Sequence, residues 1–239
     1  MFNIFISNDK KIDKARLALI ESLNKGDIEN LLNQMGNTNI FSDLLIKKRQ
    51  AQTSNTDEIS WYAYRRAEDL SLSSDKEQLI KRLNNESNDS KRRHIYFCLA
   101  HYCKNTNDKS LFNFLMDCLE SEKNNDCKLS ILIGILYMPK SKDLNIEPIK
   151  KLTKTRNRDL KINSIIALQQ TNDEQVENLL LSLFIETKDN HTKSIIINTL
   201  ETTGTEKSIP YLKESYKKTR DYGLRGDIER TIEKITAKT

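Results

Sequence analysis

Five basic side chains recur along this chain at nearly constant intervals, and their type and spacing make them the first candidates for chemistry. Arg92, Lys128, Lys161, Lys193 and Arg225 stand 36, 33, 32 and 32 residues apart. A row of cations at fixed period can bind successive phosphates or an acidic protein surface. The same row can instead serve the fold. A cation at the opening of a helix opposes the helix dipole unless an acid accompanies it, so paired carboxylates are the structural alternative.

Other clusters are weaker. Lys91-Arg92-Arg93-His94 places four potential cations in one turn, and Lys213, Lys217, Lys218, Arg220, Arg225 and Arg230 gather near the end of the sequence. Phosphate binding needs such residues on one surface; a solvated charged face is the preferred reading. His94, Cys98 and His101 fall at i, i+4 and i+7 of one helical pattern. A zinc site needs three or four ligands converging from more than one element, and no C-x-x-C or H-E-x-x-H pair is present, so no metal is expected. Cys98, Cys103, Cys118 and Cys127 read as free thiols in a reducing compartment. The segment Gly223-Leu-Arg-Gly226 lacks the preceding strand of a phosphate loop, and there is no G-x-S-x-G elbow. Three histidines offer little for acid–base work. No catalytic residue and no cofactor is assigned, and catalysis is not the expected role.

The elements that position these residues follow from the repeat. Seven residues after each marker stands an aliphatic side chain: Leu99, Ile135, Leu168, Leu200 and Ile232. Nine residues before each stands a large apolar one: Leu83, Leu119, Leu152, Phe184 and Tyr216. Apolar residues three and four apart predict two helices per copy, as in Val176–Phe184 and Lys193–Leu200. Between them lie polar turns whose Asn88, Asn124 and Asn157 can cap the second helix. Pro148 and Pro210 suit the openings of first helices, and Pro139 follows a second helix. Gly204 predicts a left-handed helix stop.

A helix pair of this length, with D-x-(K/R) opening its second helix in Asp126-Cys-Lys128 and Asp159-Leu-Lys161, resembles the HEAT repeat, in a short form similar to phycobilin-lyase-type repeats. The stretch Leu200–Leu212 is the nearest match, and the resemblance covers residues 75–235. It implies an all-α solenoid of antiparallel helix pairs whose second helices line a concave face. It also implies that the basic marker commonly pairs with the preceding Asp, which favours the structural reading of the column over a binding groove. Such arrays host unrelated functions, so the resemblance speaks to architecture. Chromophore handling of the lyase kind is allowed by it, without site residues in support.

Residues 1–74 stand outside the register. Helices are expected at Ile12–Leu23, Ile28–Met35, Ser42–Gln50 and Asp57–Leu70, with Lys25-Gly26-Asp27 as stop and cap and a polar loop over 51–56. They read as a degenerate or capping pair before five registered repeats in 75–239. Trp61 is expected to anchor this cap on the first repeat.

Composition agrees with that picture. Of 239 residues, 37% are hydrophobic and 31% charged, a lean core under a polar surface, and six Gly and three Pro argue against a turn-rich β fold. The apolar start Met1–Ser7 lacks the features of a signal peptide, and no apolar run approaches a membrane span. The net charge of +5 lies wholly after Ser74, since residues 1–74 hold ten basic and ten acidic side chains. The expectation is a cytoplasmic, bacterial protein–protein interaction scaffold. The alternative is a nucleic-acid-binding protein, of which HEAT-like DNA glycosylases are the enzymatic form.

Overall fold

The computed structural model describes residues 8–48 and 55–238. The expectations for Met1–Ser7, for most of the loop at 51–56 and for the end of the helix at Ser42–Gln50 lie outside them. The chain is all-α: fourteen α-helices and two short 3-10 turns, with no strand among the described residues beyond isolated bridges at Ile40–Glu58 and Lys140–Thr171. It divides into two compact units, Met1–Thr106 and Asn107–Thr239.

The first unit holds α1 (Asn8–Lys25), α2 (Ile28–Met35), α3 (Asp43–Lys48), α4 (Ile59–Glu68), α5 (Ser73–Leu83) and α6 (Asp89–Thr106). The expected stop and cap between α1 and α2 are present: Asp27 accepts from the Asn30 amide at 2.8 Å. Helix α2 packs on α4, and both meet α6, so α2 and α4 lie as a pair against the α5–α6 pair. The contact is apolar and tight. Tyr64 stands edge-on to Phe97 at 4.9 Å, and the Cys98 thiol donates to the Met35 sulfur at 3.6 Å. Asn105 of α6 donates to the carbonyls of Glu68 and Leu70, satisfying orphan groups at the end of α4. The expected anchor is therefore displaced by one helical turn. Trp61 is half-buried with Ile20 and Leu23 of α1, while Tyr62 and Tyr64 bear on the neighbouring elements.

The second unit is four helix pairs: α7 (Lys109–Ser121) with α8 (Asn125–Gly134), α9 (Glu147–Leu152) with α10 (Arg158–Ala167), α11 (Glu174–Glu186) with α12 (Asn190–Thr203), and α13 (Ile209–Lys218) with α14 (Tyr222–Thr236). Second helices α8, α10, α12 and α14 pack successively side by side. Their floor is the aliphatic column: Ile135, Leu168 and Leu200 have no exposed surface, as does Leu99 in α6 of the first unit. Threonines stitch neighbours together. Thr199 donates to the Ile165 carbonyl at 3.4 Å, and Thr231 repeats the contact one pair later, to Ile197 at 3.3 Å. Glu177, almost fully buried in α11, accepts from the Thr205 amide at 2.8 Å and the Ser208 hydroxyl at 2.6 Å, tying α11 to the start of α13.

One local expectation is corrected. Gly204 does end α12, but at φ −75° and ψ 151°, in extended backbone. A β-carbon there would meet the Leu200 carbonyl at 2.6 Å and the Ile235 side chain at 3.0 Å. Glycine serves a close approach, not a left-handed turn. The left-handed residues are Asn107, Tyr137 and Gln170, and the last two each stand nine positions after a basic marker.

Candidate interaction site

The basic column is explained first by the turn that precedes it. Asn88, Asn124, Asn157, Asp189 and Asp221 stand four residues before the five markers, and each accepts from amides of the second helix it opens. Each marker's own amide donates to the carbonyl of that cap residue, at 2.9–3.2 Å. The markers are thus the fourth residue after the N-cap, and the period seen in sequence is the period of capping.

Their side chains are all half-buried. The guanidinium of Arg92 pairs with Asp89 at 2.7 Å and donates to the Ser87 carbonyl at 2.9 Å. Arg225 donates to a carbonyl of its own preceding turn, Thr219, at 2.9 Å and lies 5.3 Å over the Tyr216 ring. Lys193 lies 5.8 Å over Phe184. At these two markers the residue nine before is the aromatic ring over which the cation lies, a cation–π contact. For Lys128, Lys161, Lys193 and Arg225 no carboxylate stands within ion-pair distance among the described residues. The pairing with a preceding Asp that the resemblance implied is seen at Arg92.

The other clusters disperse. In the Lys91–His94 turn, Arg93 hydrogen-bonds Tyr64, and His94 is buried and bonded to the Leu32 backbone. His94, Cys98 and His101 do share the buried side of α6, but no group of three or more His, Cys, Asp or Glu side chains converges among the described residues. Burial, then the charge of Arg93, lowers His94 to about 4; burial, then Lys104 and Arg65, does the same to His101. Both are neutral core imidazoles. Burial likewise raises Cys98 far above a reactive thiol.

Near the chain's end, Arg230 bonds Glu201, at 2.5 Å, and Asp227, at 2.9 Å; Lys213 and Lys217 flank Tyr216 and Ile232 of the last pair. Lys218 and Arg220 instead join Lys193 at a groove between α11 and α13. Behind these two first helices α12 and α14 pack on each other, and the groove holds about 610 Å³. Clefts elsewhere, such as the one beside Trp61, hold about 300 Å³. Phe184 forms its floor; Ile185, 65% exposed, and Tyr211, 41% exposed, stand in its walls. Of the basic column, Lys193 lines this groove, and of the basic cluster near the end of the sequence, Lys218 and Arg220 do. Ile185 and Tyr211 escaped notice because a single surplus apolar residue at the end of α11 looks like part of its core stripe.

No helix among the described residues is long and apolar enough to cross a membrane. Among known families, HEAT repeats match residues 146–233, which hold α9 to α13, most of α14, and with them the groove. No curated protein matches the chain.

Proposed function

We propose that this HEAT-like repeat protein is an interaction scaffold, holding a protein partner on the surface of its second unit. HEAT repeats generally mediate protein–protein interaction, and the stacked pairs offer an extended, stiff surface for it. The observation that carries the reading is the groove between α11 and α13. It leaves Ile185 and Tyr211 in water beside Lys193, a combination of apolar anchor sites and cations that suits a protein surface better than bare phosphates. The half-buried side chains of the basic column, with Arg92, Lys193 and Arg225 engaged inside the fold, argue in the same direction, because phosphate contacts need cations presented together to solvent. Residues 1–74 are proposed as the cap that covers the first registered pair. The Lys-, Asn- and Ile-rich composition fits an AT-rich bacterial genome, with the cytoplasm as the site of action.

Cross-linking and affinity capture with the full chain in its source cell tests the proposal. A saturable, stoichiometric protein partner is expected. A salt-dependent shift of duplex DNA with no protein captured would replace the scaffold with the nucleic-acid reading.

A further inference from the structure

We infer that the α11–α13 groove is a docking site for an acidic linear segment of a partner protein, one large apolar side chain flanked by carboxylates. The inference rests on the scaffold reading and gives its site and chemistry.

Ile185 is among the most exposed large hydrophobic residues described and Tyr211 is exposed as well, and both line one groove with the buried ring of Phe184. Leaving both in water is unfavourable, and an inserted aromatic or branched side chain would cover both together. The volume suits a few side chains, and the walls are already formed by two helices held through α12 and by the Glu177 clasp.

Lys193, Lys218 and Arg220 line the groove against one acid, Glu214, which Lys218 engages at 2.6 Å. Of the carboxylates next to the lining residues in sequence, Glu186 accepts from the Ser182 hydroxyl at 2.7 Å, and Asp189 and Asp221 are committed to helix openings. Asp189 accepts from the amide and hydroxyl of Thr192, and Asp221 accepts from the Leu224 amide and from Asn190. Their charge answers the positive ends of α12 and α14. Arg220 is exposed and meets no carboxylate among the described residues. A guanidinium free to take a carboxylate in two-point contact, beside an ammonium resting on an aromatic ring, selects for acidic flanks and against basic ones.

A random-peptide display library selected on the full chain tests this. Enriched peptides are expected to carry Asp or Glu on either side of one aromatic or aliphatic residue. Synthesised and labelled, they should lose roughly tenfold or more in affinity with Arg220→Glu or Ile185→Ala. They should bind Leu72→Ser as tightly as the parent, since Leu72 is equally exposed in the first unit. Circular dichroism checks that each variant is folded. Both substituted residues are exposed, so folding is expected to hold. Enrichment of basic or uncharged peptides would overturn the inference, as would acidic ones indifferent to both groove variants. So would an oligonucleotide displacing the peptide at lower concentration than the peptide's own competitor. If the groove variants still capture the cellular partner at parental strength, the docking site is wrong and the scaffold reading stands. If no protein is captured by any form, the scaffold reading is what fails.

Discussion

At the scale of single residues, the side chains that looked most reactive are the ones the fold has made inert. His101 is 5% exposed, and neither ring nitrogen meets a hydrogen-bond partner among the described residues. Burial holds it at about 4, below the 6.5 of a free imidazole. A folded value below the unfolded one means that the unfolded chain takes up the proton first. Its stabilising share is full above pH 6.5 and is lost as the pH falls toward 4, by about 3 kcal/mol at pH 4. His101→Phe should remove that share. The difference in unfolding free energy between pH 7 and pH 4, measured by urea titration, should shrink by about that amount. An unchanged difference would mean the imidazole is charged or solvated in the fold. Glu177 is the opposite case, a buried carboxylate whose acceptors are all used. Glu177→Ala strands the Thr205 amide and should cost about 2–3 kcal/mol; Glu177→Gln keeps an acceptor and should cost less, both read from denaturant midpoints.

At the scale of elements, capping sets the period and the helix ends depart from what glycine usage leads one to expect. Gly26-Asp27 and the Asn caps were legible because an oxygen two or three residues before a helical stripe has one obvious use. The left-handed positions were not legible, because Tyr137 and Gln170 occupy them at φ 60° and 56° and neither type advertises that conformation. Gln170 is exposed, and its main chain, not its side chain, receives the Lys140 amide. Gln170→Gly should therefore be neutral or stabilising by up to about 1 kcal/mol. Gly204→Ala should destabilise by roughly 1–3 kcal/mol, because its β-carbon meets backbone that cannot move aside. Thermal unfolding of the pair measures both signs. A stabilising Gly204→Ala would refute the close-approach account.

At the scale of the molecule, stability resides in columns that run from one pair to the next. Leu168 has no exposed surface in α10's C-cap, where pairs on either side close over it. Leu168→Ala should cost about 2–5 kcal/mol in equilibrium unfolding; a change of about 0.5 kcal/mol, the scale of a surface site, would contradict the register. Several features of this molecule follow from sequence alone. The helical class, the pair period, the two apolar columns and the cap residues are all local patterns, repeated often enough to exceed chance. Capping and amphipathic spacing act within a few residues, so the chain carries them openly. Only the tertiary structure decides what the basic column touches, because a cation four residues into a helix has the same sequence whether it meets an acid, a ring or water. The structure also supplies the groove. Its existence depends on how α11 and α13 are set beside each other over the packed α12 and α14, a relation between elements that no single stretch of residues encodes.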